Sequence, residues 1–237
     1  MRAWLKTVVA VAGQMLFPHH CYLCNEILLP RQRLCPDCAA HAPYILPPVC
    51  DRCGRNEDDC HCGGHSRHYA RCVSPFYHKD QARRGILYLK EQNIAVTARG
   101  FAEAMAETVR REYGGITFDG VVSVPMHKKE WQQRGFDQAA ALAKALAKRL
   151  EVPYTPVLKK LTHTVPQKEL TAVHRRGNLL GVFDVVGEVA GGTYLLVDDV
   201  TTTGSTLDEC AKMLKIYGAK EVYAVTAAAA LLKKDES

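Results

Sequence analysis

The sequence predicts an α/β fold with a mainly parallel sheet, preceded by a small Cys-rich zinc-binding module. Three observations carry this. Eight of the ten cysteines fall between Cys21 and Cys62, in four close pairs. From about Val73 onward, apolar runs of strand length alternate with amphipathic runs of helix length, the pattern of parallel strands joined by helical crossovers. Finally, the apolar run Tyr194–Val197 ends in two adjacent carboxylates, Asp198 and Asp199, and a hydroxyl-rich loop follows where a helical pattern begins. In open α/β sheets, ligands bind at that carboxyl edge of the strands.

With 237 residues, the chain has room for one medium domain and a small accessory one. An apolar content of 47% with 24% charged residues excludes the disordered and fibrous classes. The net charge of +6 permits a polyanionic partner without requiring one. No apolar run approaches the roughly 20 residues that span a bilayer. In residues 1–18, Arg2 and Lys6 ahead of Val8–Ala12 faintly suggest a short signal peptide. Trp4, Leu5, Val8, Ala12, Met15 and Leu16 also share one helical face, and the paired cysteines suit a reduced, cytoplasmic protein. The expected organisation is therefore an amphipathic helix over 1–18, a zinc-ribbon module over 19–72 and a larger domain over 73–237.

The cysteines read Cys21-x-x-Cys24, Cys35-x-x-Cys38, Cys50-x-x-Cys53 and Cys60-x-Cys62. Each pair makes a knuckle that presents two thiolates to one ion, and tetrahedral zinc takes two such pairs. Eight ligands suit two structural Zn2+ ions. The simplest pairing follows chain order, with Cys21, Cys24, Cys35 and Cys38 on one ion and Cys50, Cys53, Cys60 and Cys62 on the other; an interleaved pairing is the alternative. A disulfide framework suits a small secreted domain rather than a block ahead of a large core. The spacing lacks the clustering of ferredoxins, and a thioredoxin-type motif occurs singly in a βαβ unit. His19, His20, His41, His61 and His65 lie nearby as possible ligand replacements or surface residues. Cys72 and Cys210 stand alone as expected buried thiols. In a segment this short and this poor in large apolar residues, metal binding is expected to supply much of the folding free energy.

In the larger domain, helices are expected over Gln81–Gln92 and Ala98–Tyr113, the latter closed by Gly114–Gly115. Phe118–Pro125 reads as a short buried strand ended by proline. Phe136–Leu150 is a helix with Asp137 as its cap and Ala139, Leu142, Leu146 and Leu150 on one stripe. A strand over Thr193–Val197, a helix from Ser205 to Tyr217 stopped by Gly218 and a strand over Glu221–Ala227 complete the pattern.

The loop after the acids has its own chemistry. Backbone N–H groups at a helix N-terminus bind phosphate with help from the helix dipole. Gly204 permits the turn, and Thr202, Thr203, Ser205 and Thr206 add hydroxyl donors. Asp198 and Asp199 suit the vicinal hydroxyls of a ribose, or a magnesium shell. Neither a Walker loop nor the dinucleotide fingerprint is present.

This arrangement resembles the phosphoribosyl-pyrophosphate motif of type I phosphoribosyltransferases. A narrower resemblance rests on Val124-Pro125-Met126-His127-Lys128-Lys129, Arg134-Gly135-Phe136-Asp137-Gln138, Thr164-x-x-Gln167-x-x-Leu170, Arg175-Arg176-x-Asn178 and Val197-Asp198-Asp199-Val200-x-Thr202-Thr203-Gly204-x-Thr206. Together these resemble the ComF/GntX family, whose members pair an N-terminal zinc ribbon with a phosphoribosyltransferase-like domain; Asp137 stands where that family more often has asparagine. The resemblance implies a sheet of phosphoribosyltransferase type and binding of phosphoribosyl pyrophosphate with Mg2+. Asp198 and Asp199 would hold the ribose hydroxyls and Thr202, Thr203, Gly204, Ser205 and Thr206 the 5′-phosphate, with Thr201 also among the residues that bind phosphoribosyl pyrophosphate. Lys128, Lys129 and Arg134 would lie near the pyrophosphate, and Thr162–Arg176 would form a flap. No catalytic residue is assigned. The family's association is with DNA uptake or use of external DNA as a nutrient, with single-stranded DNA or DNA-uptake and recombination proteins as partners. The alternatives are an active phosphoribosyltransferase of nucleotide salvage, or a single-stranded-DNA-binding protein on a non-catalytic transferase scaffold.

Overall fold

The computed structural model describes residues 19–29, 32–60, 62–63, 66–91, 94–161, 182–189 and 191–232. The helix expected over 1–18 and the flap expected over Thr162–Arg176 lie outside the described residues.

One parallel sheet organises the chain. Its strands are β1 (Cys72–Val73), β2 (Phe76–Tyr77), β3 (Gly120–Ser123), β6 (Thr193–Thr201) and β7 (Glu221–Ala229). β7 pairs β1 and β2 on one flank and β6 on the other, and β3 closes the far edge beside β6, all in parallel. A separate antiparallel ribbon joins β4 (Leu158–Lys160) to β5 (Phe183–Val185). The helices are α1 (Pro36–His41), α2 (Asp80–Glu91), α3 (Ile94–Glu112), α4 (Lys128–Arg134), α5 (Gln138–Leu150) and α6 (Ser205–Ile216). Asp137 caps α5 by accepting from the Ala140 N–H at 2.8 Å, and Gly218, at φ +108°, follows α6.

Side chains alternate across β6 and so build two cores. Leu195 and Val197 face α2, α3 and α5, where Ile86, Leu89, Phe101, Met105, Leu142 and Leu146 are buried. Tyr194 and Leu196 face α6, with Leu207, Cys210 and Leu214. Helices thus cover both faces, as a parallel sheet requires. Cys72 and Cys210 are both buried.

The Cys-rich segment enters the first of these cores. Tyr22 packs edge-on against Phe101, with ring centroids 5.0 Å apart, and Phe76 meets Phe101 at 6.1 Å. Two helical glycines admit it. A Cβ on Gly85 would meet the Tyr22 carbonyl oxygen at 2.6 Å, and one on Gly100 would run into the Tyr22 ring.

Two expectations are corrected in detail. α3 begins at Ile94 rather than Ala98. The strand expected to end at Val197 continues to Thr201, so both acids lie inside it. β7 is the cause, because its pairing with β6 runs on through Val200↔Ala228 and Thr201↔Ala229. β3 pairs only as far as Ser123↔Val197, and Pro125 then takes the chain away. The Asp198–Thr201 end of β6 is therefore laddered on one flank and open on the other.

In an ordinary exposed helix, Gly→Ala stabilises by about 1 kcal/mol. At Gly100 the sign is expected to reverse, because the new methyl displaces Tyr22 from a packed seam. Overpacking of this kind costs about 1–3 kcal/mol, seen as a lower urea midpoint for Gly100→Ala. An unchanged or raised midpoint would show that the seam is loose.

Candidate functional site

The two cysteine groups assemble in chain order. The Sγ atoms of Cys21, Cys24, Cys35 and Cys38 all lie within 4.8 Å of one another, as do those of Cys50, Cys53, Cys60 and Cys62. A tetrahedron with Zn–S near 2.3 Å has S···S edges of about 3.8 Å. Cys24–Cys35 at 3.5 Å, Cys50–Cys62 and Cys53–Cys60 at 3.7 Å, and Cys60–Cys62 at 3.2 Å are close to that spacing. Knuckle N–H groups turn toward the sulfurs, with Cys38 donating to Cys35 at 3.3 Å and Arg52 to Cys50 at 3.4 Å. Such donors stabilise thiolate ligands, so both sites fit structural Zn2+. Four thiolates close each coordination shell and leave no position for catalysis.

The second candidate site lies where β6 outruns β3. The Asp198 carboxylate accepts from the Asp199 N–H at 2.8 Å, and Asp199 accepts from the Val200 N–H at 2.7 Å. Protein packed around Asp198, and then the charge of Asp199, push its carboxyl well above the usual carboxylate range. Asp199 meets a cation: Lys90 Nζ, at the end of α2, is 2.9 Å from its Oδ2. Asp137 adds a third acid, accepting from the Met126 and Ala140 N–H groups at 3.3 and 2.8 Å. Burial raises its pKa against the pull of those donors, and the charge of Asp199 adds to the rise. His78, beside Lys90, is held below its ordinary value by burial and by that lysine's charge.

Beyond the acids, Gly204 takes φ +77° and begins α6, and no side chain caps that end. The first-turn N–H groups of α6 are thus left for an outside acceptor, where the helix dipole favours an anion. A Cβ on Gly204 would meet the Tyr69 hydroxyl at 2.5 Å, which reserves the position for glycine twice over. Thr201 is buried and Thr202 exposed, while Thr203 Oγ1 and Ser205 Oγ lie 2.9 Å apart and Thr206 is partly exposed. Lys128, Lys129 and Arg134 stand exposed on α4, which follows the end of β3. Among the described residues none of the three joins an ion pair. Thr164, Gln167, Leu170, Arg175, Arg176 and Asn178 lie outside the described residues.

Four residues of this region had no signal in the sequence. Lys90 and His78 come from more than a hundred residues away and reach Asp199 only through the packing of α2. Arg55, 3% exposed, donates from Nη2 to the Thr202 carbonyl at 2.5 Å and from Nε to the Ala230 carbonyl at 2.8 Å. Arg67 donates to the Thr203 carbonyl at 2.8 Å. Both arginines belong to the Cys-rich segment, so the hydroxyl loop is bounded by that segment as well as by the larger domain.

A family model described as the phosphoribosyl transferase domain matches residues 137–237, and one described as the double zinc ribbon domain matches residues 12–73. DNA utilization protein YhgH of Salmonella typhimurium is 30% identical over 206 residues, covering 85% of this chain and 86% of that protein. Competence protein F of Haemophilus influenzae is 37% identical over 109 residues, 44% of this chain and 47% of that protein, so this match spans about half of each. Adenine phosphoribosyltransferase from Saccharomyces cerevisiae is similar in structure with a TM-score of 0.38 at 16% identity, over 57% of this chain and 69% of that one. Among the described residues, no helix is long and apolar enough to cross a membrane.

An acid whose pKa is raised by folding binds its proton more tightly in the folded chain. Its contribution to stability is then greatest at low pH, and falls as pH rises from the free-acid value of about 4 toward the folded value. The loss is up to about 1.4 kcal/mol per pH unit. Asp198→Asn cannot ionise and escapes it. Without added magnesium, the variant is expected to gain on the wild type as pH rises above about 5.5, a range in which zinc thiolates persist. Parallel stability–pH curves from urea unfolding would mean that Asp198 ionises normally.

Proposed function

The chain belongs to the ComF family, joining a double zinc ribbon to a phosphoribosyltransferase fold, and from that premise we propose that it binds phosphoribosyl pyrophosphate in the service of DNA utilisation. One observation carries the ligand: two carboxylates at the open end of β6 stand directly before an uncapped helix N-terminus. A sugar phosphate needs both. Asp198 and Asp199 accept from the vicinal ribose hydroxyls, while the Thr202–Thr206 loop and the start of α6 take the 5′-phosphate. Lys90 pairs with Asp199 and orients its carboxylate before the ligand arrives. Lys128, Lys129 and Arg134 lie on the segment leaving β3, beside the same edge, and supply positive charge for the pyrophosphate. The adjacent carboxylates also fit a hard, oxygen-seeking cation, and Mg2+ carried in with the pyrophosphate would screen its charge. Eight thiols gathered as metal ligands suit a reducing, cytoplasmic setting. The reading is one of binding, since no described side chain is assigned an acid–base step.

Phosphoribosyl pyrophosphate with magnesium is expected to raise the melting temperature saturably. Ligand at a hundred times its Kd stabilises by about 2.7 kcal/mol. The double substitution Asp198→Asn with Asp199→Asn should abolish the response. If the substituted chain responds like the wild type, the ribose is not held there.

A second ligand is favoured by a separate feature. A cavity of about 520 Å³ between the first cysteine cluster and α3 is lined by His19, His20, Arg33, Arg99 and Arg149. Two of these cations, Arg33 and Arg149, pair with Glu103. This cationic surface suits the phosphodiester backbone of single-stranded DNA. Binding of an oligonucleotide should weaken steeply with salt, and Arg99→Ala with Arg149→Ala should flatten that slope by about one to two counterions. No binding at low salt would remove direct DNA contact from the reading.

A further inference from the structure

The second cysteine cluster lies against the hydroxyl loop. Arg55 follows Cys53 by two residues, and its charge acts on the Cys53 thiol. Its guanidinium is nearly inaccessible to water, and among the described residues no carboxylate pairs with it. It donates to two carbonyls, of Thr202 at one end of the loop and Ala230 beyond β7, and also hydrogen-bonds the Cys53 thiol. A zinc ion with four thiolates carries a net charge of about −2, which offers this buried cation a counter-charge. The chain leaving the cluster then crosses the loop. The Arg67 guanidinium binds the Thr203 carbonyl, the His68 N–H donates to Asp208 at 2.6 Å in the first turn of α6, and the Tyr69 hydroxyl abuts Gly204.

Peptide planarity gives these contacts a consequence. Within one peptide unit, the C=O of a residue and the N–H of the next point in opposite directions. Holding the Thr202 and Thr203 carbonyls toward the arginines therefore turns the N–H groups of Thr203 and Gly204 away from them. Among the described residues, neither N–H donates to another protein atom. Both are thus oriented and free, on the side opposite the ribbon.

We propose that Arg55 and Arg67 are positioning residues for the loop: they fix the Thr202–Thr203 and Thr203–Gly204 peptides so that two N–H groups face the ligand's 5′-phosphate, and the second metal cluster sets the loop's affinity by anchoring Arg55. This rests on the loop being the phosphate site proposed above. The ribbon is then part of the binding site rather than an appended module, and loss of the second metal loosens a site that contains no cysteine.

The test uses the full chain with zinc content measured alongside. Arg55→Met and Arg67→Met should each retain both zinc ions. Each should raise the Kd for ribose 5-phosphate and for phosphoribosyl pyrophosphate by about tenfold or more, the loss of a charge-assisted hydrogen bond, while inorganic pyrophosphate binds as before. A merely structural defect would weaken all three alike, and that outcome overturns the proposal. Cys60→Ala with Cys62→Ala should raise the same two Kd values by a similar factor, and Arg55→Met added to it should change little further. Full additivity would mean the cluster does not act through Arg55. Arg67 is only partly buried, so its variant decides the matter if loss of Arg55 prevents folding. Backbone amide resonances of Thr203 and Gly204 in the ligand-free chain give a separate arm. They should move in both arginine variants and on loss of the second metal, whether or not the wild type binds phosphoribosyl pyrophosphate. If they stay in place, the arginines do not hold the loop. If they move and the wild type ignores the ligand, the proposed function falls and the positioning stands.

Discussion

The site depends on an unequal strand pair. β6 runs nine residues and β7 ladders it to the end, whereas β3 leaves it at Val197. Pairing with β7 on one side holds the acid-bearing end extended, while the flank facing β3 is left without a ladder. Pro125, which cannot extend a ladder, takes β3 away at that point. Had β3 continued for three more residues, its backbone would occupy the space beside Asp198 and Asp199. The buried apolar run of β6 anchors this geometry, since Leu195 and Val197 hold one core and Tyr194 and Leu196 the other.

Electrostatics at that open end follow from burial rather than from composition. Three carboxylates, of Asp137, Asp198 and Asp199, converge where the protein excludes much of the water, and both Asp137 and Asp198 hold their protons more tightly as a result. Lys90 offsets part of this charge by pairing with Asp199. A site arranged this way is poised for groups that share hydrogen bonds or bring positive charge. It opposes an anion placed directly on the acids.

The cysteine clusters serve the larger fold as well as their own segment. Tyr22, next to Cys21, fills a seam that Gly85 and Gly100 leave open on two helices. The second cluster carries Arg55 to the loop after β6. Two small cysteine clusters thereby adjoin surfaces far larger than themselves, and a closed tetrathiolate at each would fix backbone that has almost no apolar core of its own.

By itself, the sequence determined the elements and the chemistry they carry. Four cysteine pairs implied two tetrahedral sites, and alternation of strand and helix lengths implied a covered parallel sheet. The acid pair before a hydroxyl loop marked the site, and Asp137 was readable as a cap because capping is a contact over three residues. Such features follow from short-range geometry, in which spacing along the chain is spacing in space. Tertiary structure alone decided how far β6 extends, since two adjacent Asp residues disfavour a strand locally and the ladder to β7 carries the strand past them to Thr201. It alone brought Lys90 to Asp199 and Arg55 to Thr202, across 109 and 147 residues of chain. Neither residue has a local pattern that separates it from a solvated surface cation. Their roles come from burial and from the docking of one half of the chain on the other, and no linear spacing encodes that.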